Sequence, residues 1–422
     1  MNTRWLATGA TKGVLGSPTG SAVCGVKDGG CFQTFQNGAL DWSKATGAWE
    51  TYGDIRALWA SLGWESSVVG YPTAAPVTEN GGTYQAFQNG TIAHSASGTF
   101  AVTNDIATRW SALSSASGVL GYPTGNAVCG IKAGGCYQNF QKGAITWTSA
   151  IGAWETYGDI RTGWAALGFE NSALGYPTAA PVAAKSGTSQ AFEHGTLAHS
   201  ASGTFSITGV IGTRWAALSS ASGVMGYPTG NAVCGIKSAG CYQNFQGGAI
   251  TWTSATGAWE TYGDIRSRWG ALGFENGPLG YPTAAPVTIT GRAFQTFQGG
   301  SIGWSTGKGA HHILGQMNAR WIALGATASA LGSPVADEVC SWTPGKENCY
   351  QNFQGGAISW TPSTGAWETY GGIRAYWASK GFEFGPLGYP TGAVTKTATG
   401  ETQKFQGGTV SWDSTTGLVT TS

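Results

Sequence analysis

TYGDIRALWASLGWESSVVGYPTAAPVTENGGTYQAFQNGTIAH, residues 51–94, contains the structural unit from which the whole chain is built. The segment 53–63 is predicted to form a short helix, because Ile55, Trp59 and Leu62 fall at i, i+4 and i+7 and share one face. An apolar stripe on so short a helix must be covered by the rest of the unit. Trp59 is therefore predicted to be a core residue.

The ends of this helix and the turn after it also follow from residue type. Asp54 is a plausible N-cap, and Gly63 ends the helix. The tetrapeptide that follows has the form Leu-Gly-Tyr-Pro; its Gly permits a turn and its Pro fixes φ, which predicts a corner of the unit. Its Tyr has the clearest chemical freedom, because Ser replaces it twice. The tetrapeptide begins at residues 15, 69, 120, 174, 225, 279, 331 and 387, with Val at 69, Met at 225, and Ser17 and Ser333 in place of Tyr.

The helix tryptophan sets the phase of an internal repeat. Its copies are Trp5, Trp59, Trp110, Trp164, Trp215, Trp269, Trp321 and Trp377, separated by 54, 51, 54, 51, 54, 52 and 56 residues. A period in this range is typical of solenoids and propeller-like arrays. The alternation defines two repeat types, A and B. The predicted repeats are 1–42 (A), 43–94 (B), 95–147 (A), 148–199 (B), 200–252 (A), 253–304 (B), 305–360 (A) and 361–412 (B), with 413–422 as a closing strand paired with the N-terminal unit.

Each repeat also contains a predicted β-hairpin, in which Asn-Gly or Gly-Gly separates two alternating strands. With the turn at residues 37–38, Phe35 opposes Leu40 and Gln33 opposes Trp42 on one face. The glutamine recurs as Gln33, Gln85, Gln138, Gln190, Gln243, Gln295, Gln351 and Gln403. The opposing residue is Trp42, His94, Trp147, His199, Trp252, Trp304, Trp360 or Trp412. Exchange of Trp for His would be costly in a sealed core, so we expect this end of the hairpin to be partly exposed.

The eight cysteines all lie in A repeats, in closely spaced pairs. Pairing within each repeat is the simplest connectivity, and an oxidising compartment then follows. Zinc is the alternative, but no second Cys or His pair follows at ligand spacing. The predicted disulfides are Cys24–Cys31, Cys129–Cys136, Cys234–Cys241 and Cys340–Cys349.

The composition limits the classes of partner. The 22 basic and 21 acidic residues give a net charge of +1 and no basic cluster, which argues against nucleic acid and a membrane surface. No apolar stretch approaches the roughly 20 residues of a transmembrane helix, and the N-terminal MNTRWLATG has no signal-peptide core. The 69 Gly and 20 Trp suit many turns that carry aromatic faces, which favours neutral polar ligands such as sugars; tryptophans used mainly as core residues are the alternative.

No catalytic constellation stands out. Glu50, Glu155, Glu260 and Glu368 recur in GAWETYG segments, and Asp54, Asp159 and Asp264 follow three of them, a pairing that a glycosidase could use. A group repeated at each structural position is more often a cap or a strand-edge hydrogen bond. His311 and His312 are expected in a solvated connecting loop rather than at a metal. We therefore expect neither an enzyme nor a cofactor or metal.

Residues 46–73, TGAWETYGDIRALWASLGWESSVVGYPT, followed by YQAFQNGTIAH at 84–94, resemble the LGFP repeat family. The unit of that family carries a T-G-A segment, an I-R-x-x-W helix, an L-G-x-P turn and an F-x-x-G-x-I hairpin. The resemblance covers essentially the whole chain in eight copies, and the cysteine pairs are additional to it. It implies a secreted actinobacterial protein, in a family often appended to mycolyltransferases or cell-wall amidases, where the repeats hold the enzyme on envelope polysaccharide. A free-standing secreted lectin fits as well.

The predicted fold is an α+β repeat protein with eight units, each a short helix plus a hairpin and an extra short strand. The chain begins at a helix and ends at the strand that precedes one, so a closed propeller-like ring with four-fold pseudo-symmetry is expected. Two four-repeat rings or an open superhelix are the alternatives.

The predicted function is non-catalytic, multivalent binding of a polysaccharide or glycan by a secreted or cell-wall-associated protein. The alternatives are a structural surface protein that self-associates into filaments, and a cell-wall hydrolase. The expected ligand-binding residues are the eight hairpin Trp and His residues given above, Gln33, Gln138, Gln243 and Gln351, and the GAWETYG tryptophans Trp49, Trp154, Trp259 and Trp367. For each Gln, a buried polar group that satisfies the backbone is the alternative.

Overall fold

The computed structural model describes residues 1–341, 343 and 347–422. It divides into two compact units, Met1–Thr208 and Gly209–Ser422, and each unit holds four repeats. Every repeat consists of one helix followed by one four-stranded antiparallel sheet with its strands in sequence order. The sequence predicted the helix, the hairpin and one extra short strand, and the structure adds a further strand, so that one strand lies on each side of the hairpin. None of the helices in the described part of the chain is long and apolar enough to cross a membrane.

The helices, numbered α1 to α8 with their repeats, span Asn2–Ala7, Gly53–Leu62, Asn104–Ala112, Gly158–Leu167, Gly209–Ala217, Gly263–Ala271, Gly315–Ala323 and Gly371–Ser379.

The sheets carry the same numbers as the repeats. In the first unit, sheet 1 comprises Val23–Val26, Gly30–Phe35, Gly38–Ser43 and Gly47–Tyr52; sheet 2 comprises Val77–Glu79, Gly82–Phe87, Gly90–Ser95 and Gly98–Thr103; sheet 3 comprises Val128–Ile131, Gly135–Phe140, Gly143–Thr148 and Gly152–Tyr157; and sheet 4 comprises Val182–Ala184, Gly187–Phe192, Gly195–Ser200 and Gly203–Thr208.

In the second unit, sheet 5 comprises Val233–Ile236, Gly240–Phe245, Gly248–Thr253 and Gly257–Tyr262; sheet 6 comprises Val287–Ile289, Arg292–Phe297, Gly300–Ser305 and Gly309–Leu314; sheet 7 comprises Val339–Ser341, Asn348–Asn352, Gly356–Thr361 and Gly365–Tyr370; and sheet 8 comprises Thr395–Lys396, Gly400–Phe405, Gly408–Asp413 and Val419–Thr421.

These borders place the fourth strand of each sheet beyond the repeat boundaries that the sequence indicated. Gly47–Tyr52 pairs with Gly38–Ser43, so sheet 1 extends past residue 42. At the other end of the chain, Val419–Thr421 pairs with Gly408–Asp413 and completes sheet 8. Pairing of this last segment with the N-terminal unit stays a prediction, as do the closed ring and its alternatives.

The chain passes from strand to helix through one residue in the left-handed region. Gly53 has φ +57°, and Asn104 takes the same place in repeat 3 with φ +55°, which Asn tolerates better than other residues with a Cβ. The predicted N-cap was wrong: the N-cap of α2 is Tyr52, without a side-chain hydrogen bond, and Asp54 lies in the first turn. Its carboxylate points instead towards the hairpin, as described below.

The hairpin turn lies one residue before the predicted position. The observed cross-strand pairs are Phe35 with Gly38, Gln33 with Leu40 and Cys31 with Trp42. Residues 36–37 therefore form the turn, and Gln33 does not oppose Trp42. A Cβ at Gly38 would lie 2.3 Å from the carbonyl oxygen of Thr51 on the fourth strand. Glycine is required there by the close approach of the next strand, which is why the Asn-Gly signal misplaced the turn.

The recurring tetrapeptide is the corner that joins each helix to its sheet. Gly70 has φ +73°, and its carbonyl accepts the indole N–H of the helix residue Trp59 at 3.1 Å. A Cβ at Gly70 would meet the Oε1 atom of Gln88 at 2.5 Å, the same atom that accepts the backbone N–H of Tyr71 at 2.9 Å. The tryptophan-to-glycine hydrogen bond occurs in all eight repeats, at 2.9–3.2 Å. The helix, the corner and the hairpin are thus connected by one small network.

Each helix after the first in a unit is covered by two sheets. α3 packs Trp110 against Phe140 and Ile145 of its own sheet and against Ala93 and Val102 of the preceding one. Seven helix tryptophans are at most 2% exposed, and Trp5 at the start of the chain is half-buried. The prediction that this tryptophan is a core residue is confirmed for Trp59 and its six buried counterparts.

The tyrosine of the tetrapeptide connects neighbouring repeats. Tyr176 is 3% exposed, and its hydroxyl donates to the backbone carbonyl of Lys132 in the preceding repeat at 2.6 Å. Chemical freedom at this position was therefore the wrong interpretation. Where Ser333 replaces it, the shorter hydroxyl donates to the carbonyl of Trp304, also in the preceding repeat, at 3.1 Å.

The four predicted disulfides are confirmed. Each joins the first and second strands of an A-repeat sheet between directly paired residues. Among the described residues no cysteine is left free, and no group of three or more His, Cys, Asp or Glu is arranged to hold a metal ion.

Candidate functional site

The hairpin aromatic residues lie at the end of the third strand, beside the start of the helix of the same repeat. All eight are half-buried. The indole N–H of Trp147 donates to the carboxylate of Asp105 in the first turn of α3 at 2.5 Å. Trp304 makes the same bond to Asp264 at 2.5 Å. A half-buried ring thus stands next to an acidic group at the surface.

The two hairpin histidines occupy the same place. The Nε2 atom of His199 lies 3.2 Å from the carboxylate of Asp159, and that of His94 lies 3.5 Å from Asp54. These two carboxylates are 67% and 65% exposed, so a ligand in solvent can reach them. The aromatic–Asp pair therefore forms in repeats 2, 3, 4 and 6.

Three of the other four repeats have no acidic residue at the Asp position. Val210 stands at the Asp position of repeat 5, Gln316 in repeat 7 and Gly372 in repeat 8. A Cβ at Gly372 would lie 2.3 Å from the ring of Trp412, so that indole packs directly on the backbone of α8. The sequence identified the aromatic residues but missed their partners, because Asp105 and Trp147 are 42 residues apart.

The tryptophans of the GAWETYG segments are half-buried, and one face of each ring is covered by arginine. The guanidinium of Arg109 lies 4.6 Å from the ring centroid of Trp154, and its Nε and Nη2 atoms donate to the carboxylate of Glu155 at 2.6 and 2.9 Å. The same stack occurs as Arg4–Trp49–Glu50, Arg214–Trp259–Glu260 and Arg320–Trp367–Glu368. The four glutamates are thus engaged in two-point ion pairs.

The recurring glutamines lie inside the protein and connect repeats. Gln138 is 0% exposed, and its Nε2 atom donates to the carbonyls of Gly125 in its own repeat and Ala101 in the preceding one, at 2.9 and 3.0 Å. Gln243 and Gln351 are equally buried, whereas Gln33 is half-buried and donates to Gly20 at 3.0 Å. The buried amides are therefore out of reach of a ligand in solvent and hold neighbouring repeats together.

His311 and His312 lie in the fourth strand of sheet 6 rather than in a connecting loop. Their Nδ1 atoms approach the carboxylate of Asp337 at 3.2 and 3.1 Å, and Arg268 also bonds to it. Burial alone would raise the pKa of Asp337, but His312, Arg268 and His311 together hold it below its usual value. The expectation of a solvated loop was therefore wrong: both histidines lie in a strand and contact the carboxylate of Asp337.

A second surface feature lies where an A sheet meets the following B helix; we call it the A-to-B groove. Arg161 of α4 donates to Thr156 Oγ1 at 3.1 Å and to Asn139 Oδ1 at 2.9 Å, and its guanidinium lies 5.3 Å from the ring centroid of Phe169. Asn139 and Arg161 also line a shallow depression of about 600 Å³. The corresponding arginine–aromatic pairs are Arg56–Trp64, Arg266–Phe274 and Arg374–Phe382.

The first A-to-B groove differs from the others by a buried acid, Asp41, and by Thr34 and Phe32 at the positions of Asn139 and Tyr137. Asp41 is 4% exposed, accepts a hydrogen bond from Thr51 at 2.7 Å and lies 3.5 Å from Arg56. Burial raises its pKa to about 6, against the lowering effect of Thr51 and Arg56. The equivalent residues in the other three grooves are Thr146, Thr251 and Ser359.

The pKa of Asp41 predicts a pH-dependent stability. Because the folded state binds the proton of the Asp41 carboxyl more tightly than the unfolded state does, the contribution of this proton to the free energy of unfolding is lost as pH rises from about 4 through 6. Replacing Asp41 with Thr should raise the free energy of unfolding by roughly 2 kcal/mol at pH 8 and by little at pH 4. Urea unfolding of both proteins at the two pH values measures the difference, and an equal effect at pH 4 and pH 8 would contradict the prediction.

Comparison with known proteins points to one family. A family model described as LGFP repeat matches residues 15–67, 69–118, 120–172, 174–223, 225–277, 279–329, 331–385 and 387–421. No curated protein matches the chain.

The chain is also similar to parts of larger solved structures. It matches the extracellular domain of BT4673 from B. thetaiotaomicron with 10% identity, covering 96% of this chain and 60% of that one, at a TM-score of 0.13. It matches the extracellular domain of BT3049 from the same organism with 11% identity, covering 91% of this chain and 50% of that one, at a TM-score of 0.13. It matches PorZ, a surface component of the type-IX secretion system of Porphyromonas gingivalis, with 8% identity, covering 93% of this chain and 47% of that one, at a TM-score of 0.15. The TM-scores are too low for these structures to bear on the fold or function.

The family match covers each of the eight repeats, and its boundaries begin at the tetrapeptide corners. Together with the four disulfides, it is consistent with a secreted or cell-surface protein. The chain belongs to the LGFP repeat family.

Proposed function

We propose that the chain is a non-catalytic, secreted or cell-wall-associated protein that binds carbohydrate at its aromatic–Asp pairs. The observation that carries the proposal is the recurrence of a half-buried ring beside an exposed carboxylate in four repeats. The apolar face of a sugar can stack on such a ring, while its hydroxyls donate to the carboxylate.

Repetition supplies the affinity that one shallow site lacks. Linked sites that engage one polymer together can exceed single-site affinity by about 10²–10⁴. A polysaccharide presents the same sugar many times, so it can use several pairs at once. The low charge of the chain also suits a largely neutral partner, since no clustered cations or anions dominate its composition.

A glycan array followed by titration of the best polysaccharide tests the proposal. Replacing Trp147 and Trp304 with Ala should weaken binding at least tenfold, because both rings belong to aromatic–Asp pairs. The matched control is Trp252→Ala, since that ring is also half-buried but its helix carries Val210 at the Asp position. The control should retain most of the affinity, and circular dichroism should show all variants folded.

Three outcomes would overturn the proposal. Equal losses in the Trp147/Trp304 variant and the Trp252 variant would make the acidic partner irrelevant. Concentration-dependent assembly without any glycan binding would favour a structural protein. Release of soluble product from cell-wall material, abolished by Glu155→Gln, would favour a hydrolase.

A further inference from the structure

The A-to-B grooves contain an arrangement that the aromatic–Asp pairs lack. In three of the grooves a half-buried arginine is fixed by a hydroxyl and an amide oxygen and stacked on an aromatic ring. In the first groove Arg56 bonds to the Thr51 hydroxyl and to the Asp41 carboxylate instead. Arg161, Arg266 and Arg374 have no carboxylate within 4.0 Å among the residues that the structure describes, whereas Arg56 faces Asp41. Three grooves thus lack the arginine–carboxylate ion pair of the first groove; in the last of them Glu383 lines the same depression as Arg374 and interacts with it electrostatically, but lies beyond ion-pair distance.

The side chain of this arginine is prepared for an incoming anion. Its two hydrogen bonds to Thr156 and Asn139 hold the guanidinium of Arg161 in place and use two of its five N–H donors. Burial lowers the pKa of this arginine, because desolvation disfavours its charged form. A negative charge arriving beside the guanidinium would offset that cost. A guanidinium also matches the two oxygens of a carboxylate better than a lysine does.

Neighbouring groups suit a sugar around that charge. Tyr137 lies next to Arg161 on the outward face of sheet 3 and is half-buried. Asn139 and Lys142 line the same depression as Arg161. In the last groove, Tyr350 and Phe382 line a depression of about 470 Å³ together with Arg374.

We infer that the grooves built on Arg161, Arg266 and Arg374 bind the carboxylate of an acidic sugar, a hexuronic acid residue, and that the groove of Arg56 does not. This inference rests on the proposed carbohydrate binding but uses a different surface. The carboxylate accepts N–H bonds from the guanidinium, while Asn and Tyr bond to the sugar hydroxyls. In the first groove Asp41 fills the role of the ligand carboxylate.

The internal difference between grooves supplies a gain-of-function test. Titration of the full chain with a short oligogalacturonate at low salt should give three sites per chain. The triple variant Phe32→Tyr, Thr34→Asn and Asp41→Thr should raise the stoichiometry to four, because it gives the first groove the residues found at 137, 139 and 146. Thr146→Asp should lower it to two without removing Arg161. Replacing Arg161, Arg266 and Arg374 together with Gln should weaken binding at least tenfold, and 500 mM NaCl should weaken binding to the wild type.

The controls separate this inference from the proposed function. The Trp147/Trp304 variant should keep the three oligogalacturonate sites, and the triple Arg variant should keep its affinity for the neutral polysaccharide. Unchanged stoichiometry in the Phe32→Tyr, Thr34→Asn and Asp41→Thr variant, or unchanged affinity in the triple Arg variant, overturns the inference. Equal binding of a poly(glycerol phosphate) overturns the assignment to a carboxylate.

Discussion

Replacing Arg109 with Leu is expected to lower the free energy of unfolding by about 3 kcal/mol. Glu155 is 2% exposed, and both of its carboxylate oxygens accept hydrogen bonds from Arg109. The substitution would leave a buried carboxylate without its partner and would uncover the face of Trp154. Because Arg109 itself is 23% exposed, the loss should fall at the low end of the range for buried ion pairs.

A double variant separates the ion pair from simple packing. If the cost of Arg109→Leu comes from the orphaned charge, then adding Glu155→Leu should restore most of the lost stability, since neither charge then remains. Urea unfolding followed by tryptophan fluorescence gives the free energies. A loss below 1 kcal/mol in the single variant, or a double variant less stable than the single one, would contradict this role of the pair.

Replacing Trp164 with Ala is expected to cost about 3–5 kcal/mol, the range for removing a large aromatic side chain from a core. The indole is 0% exposed, packs against Phe169 and Phe192 at centroid distances of 5.2 and 5.5 Å, and donates to the carbonyl of Gly175. Its removal would open a cavity and leave the corner carbonyl without its donor.

The matched variant Trp164→Phe keeps a ring but lacks the N–H donor, so it should cost clearly less than the Ala variant. Stability in repeat proteins is largely a sum of unit and neighbour terms. Hydrogen exchange should therefore accelerate most in α4 and sheet 4. Uniform acceleration over the unit Met1–Thr208 would contradict a local effect.

The sequence predicted those features that depend on one repeat alone. The stripe of Ile55 and Trp59 identified the helix, and the cysteine spacing identified the disulfides. Features that depend on two repeats were not predicted, because nothing in the sequence of one repeat indicates which backbone atom of the neighbouring repeat lies opposite a given side chain. Tyr176 was therefore misinterpreted, and the role of Gln138 stayed open between a ligand-binding and a buried position, although both residues recur at fixed places in the chain.

The candidate site was predicted in part for the same reason. The exchange of Trp for His along the hairpin series led us to expect partial exposure, and the structure places all eight rings in half-buried positions. The acidic partner was not predicted, because Asp54, which takes the place of Asp105 in repeat 2, was expected to cap its helix. The A-to-B groove escaped because Arg161 and Asn139 meet only across two repeats.

The tyrosine bond between repeats has a consequence for how such chains can grow. Its acceptors are main-chain carbonyls, those of Lys27, Glu79, Lys132 and Lys237. A main-chain acceptor is present whatever side chain stands at the position. A duplicated pair of repeats can therefore form the tyrosine hydrogen bond with whichever repeat precedes it. Copies can then diverge at other positions, as Asp41 and Thr146 have, without losing this hydrogen bond. Length and ligand preference can therefore evolve independently of each other.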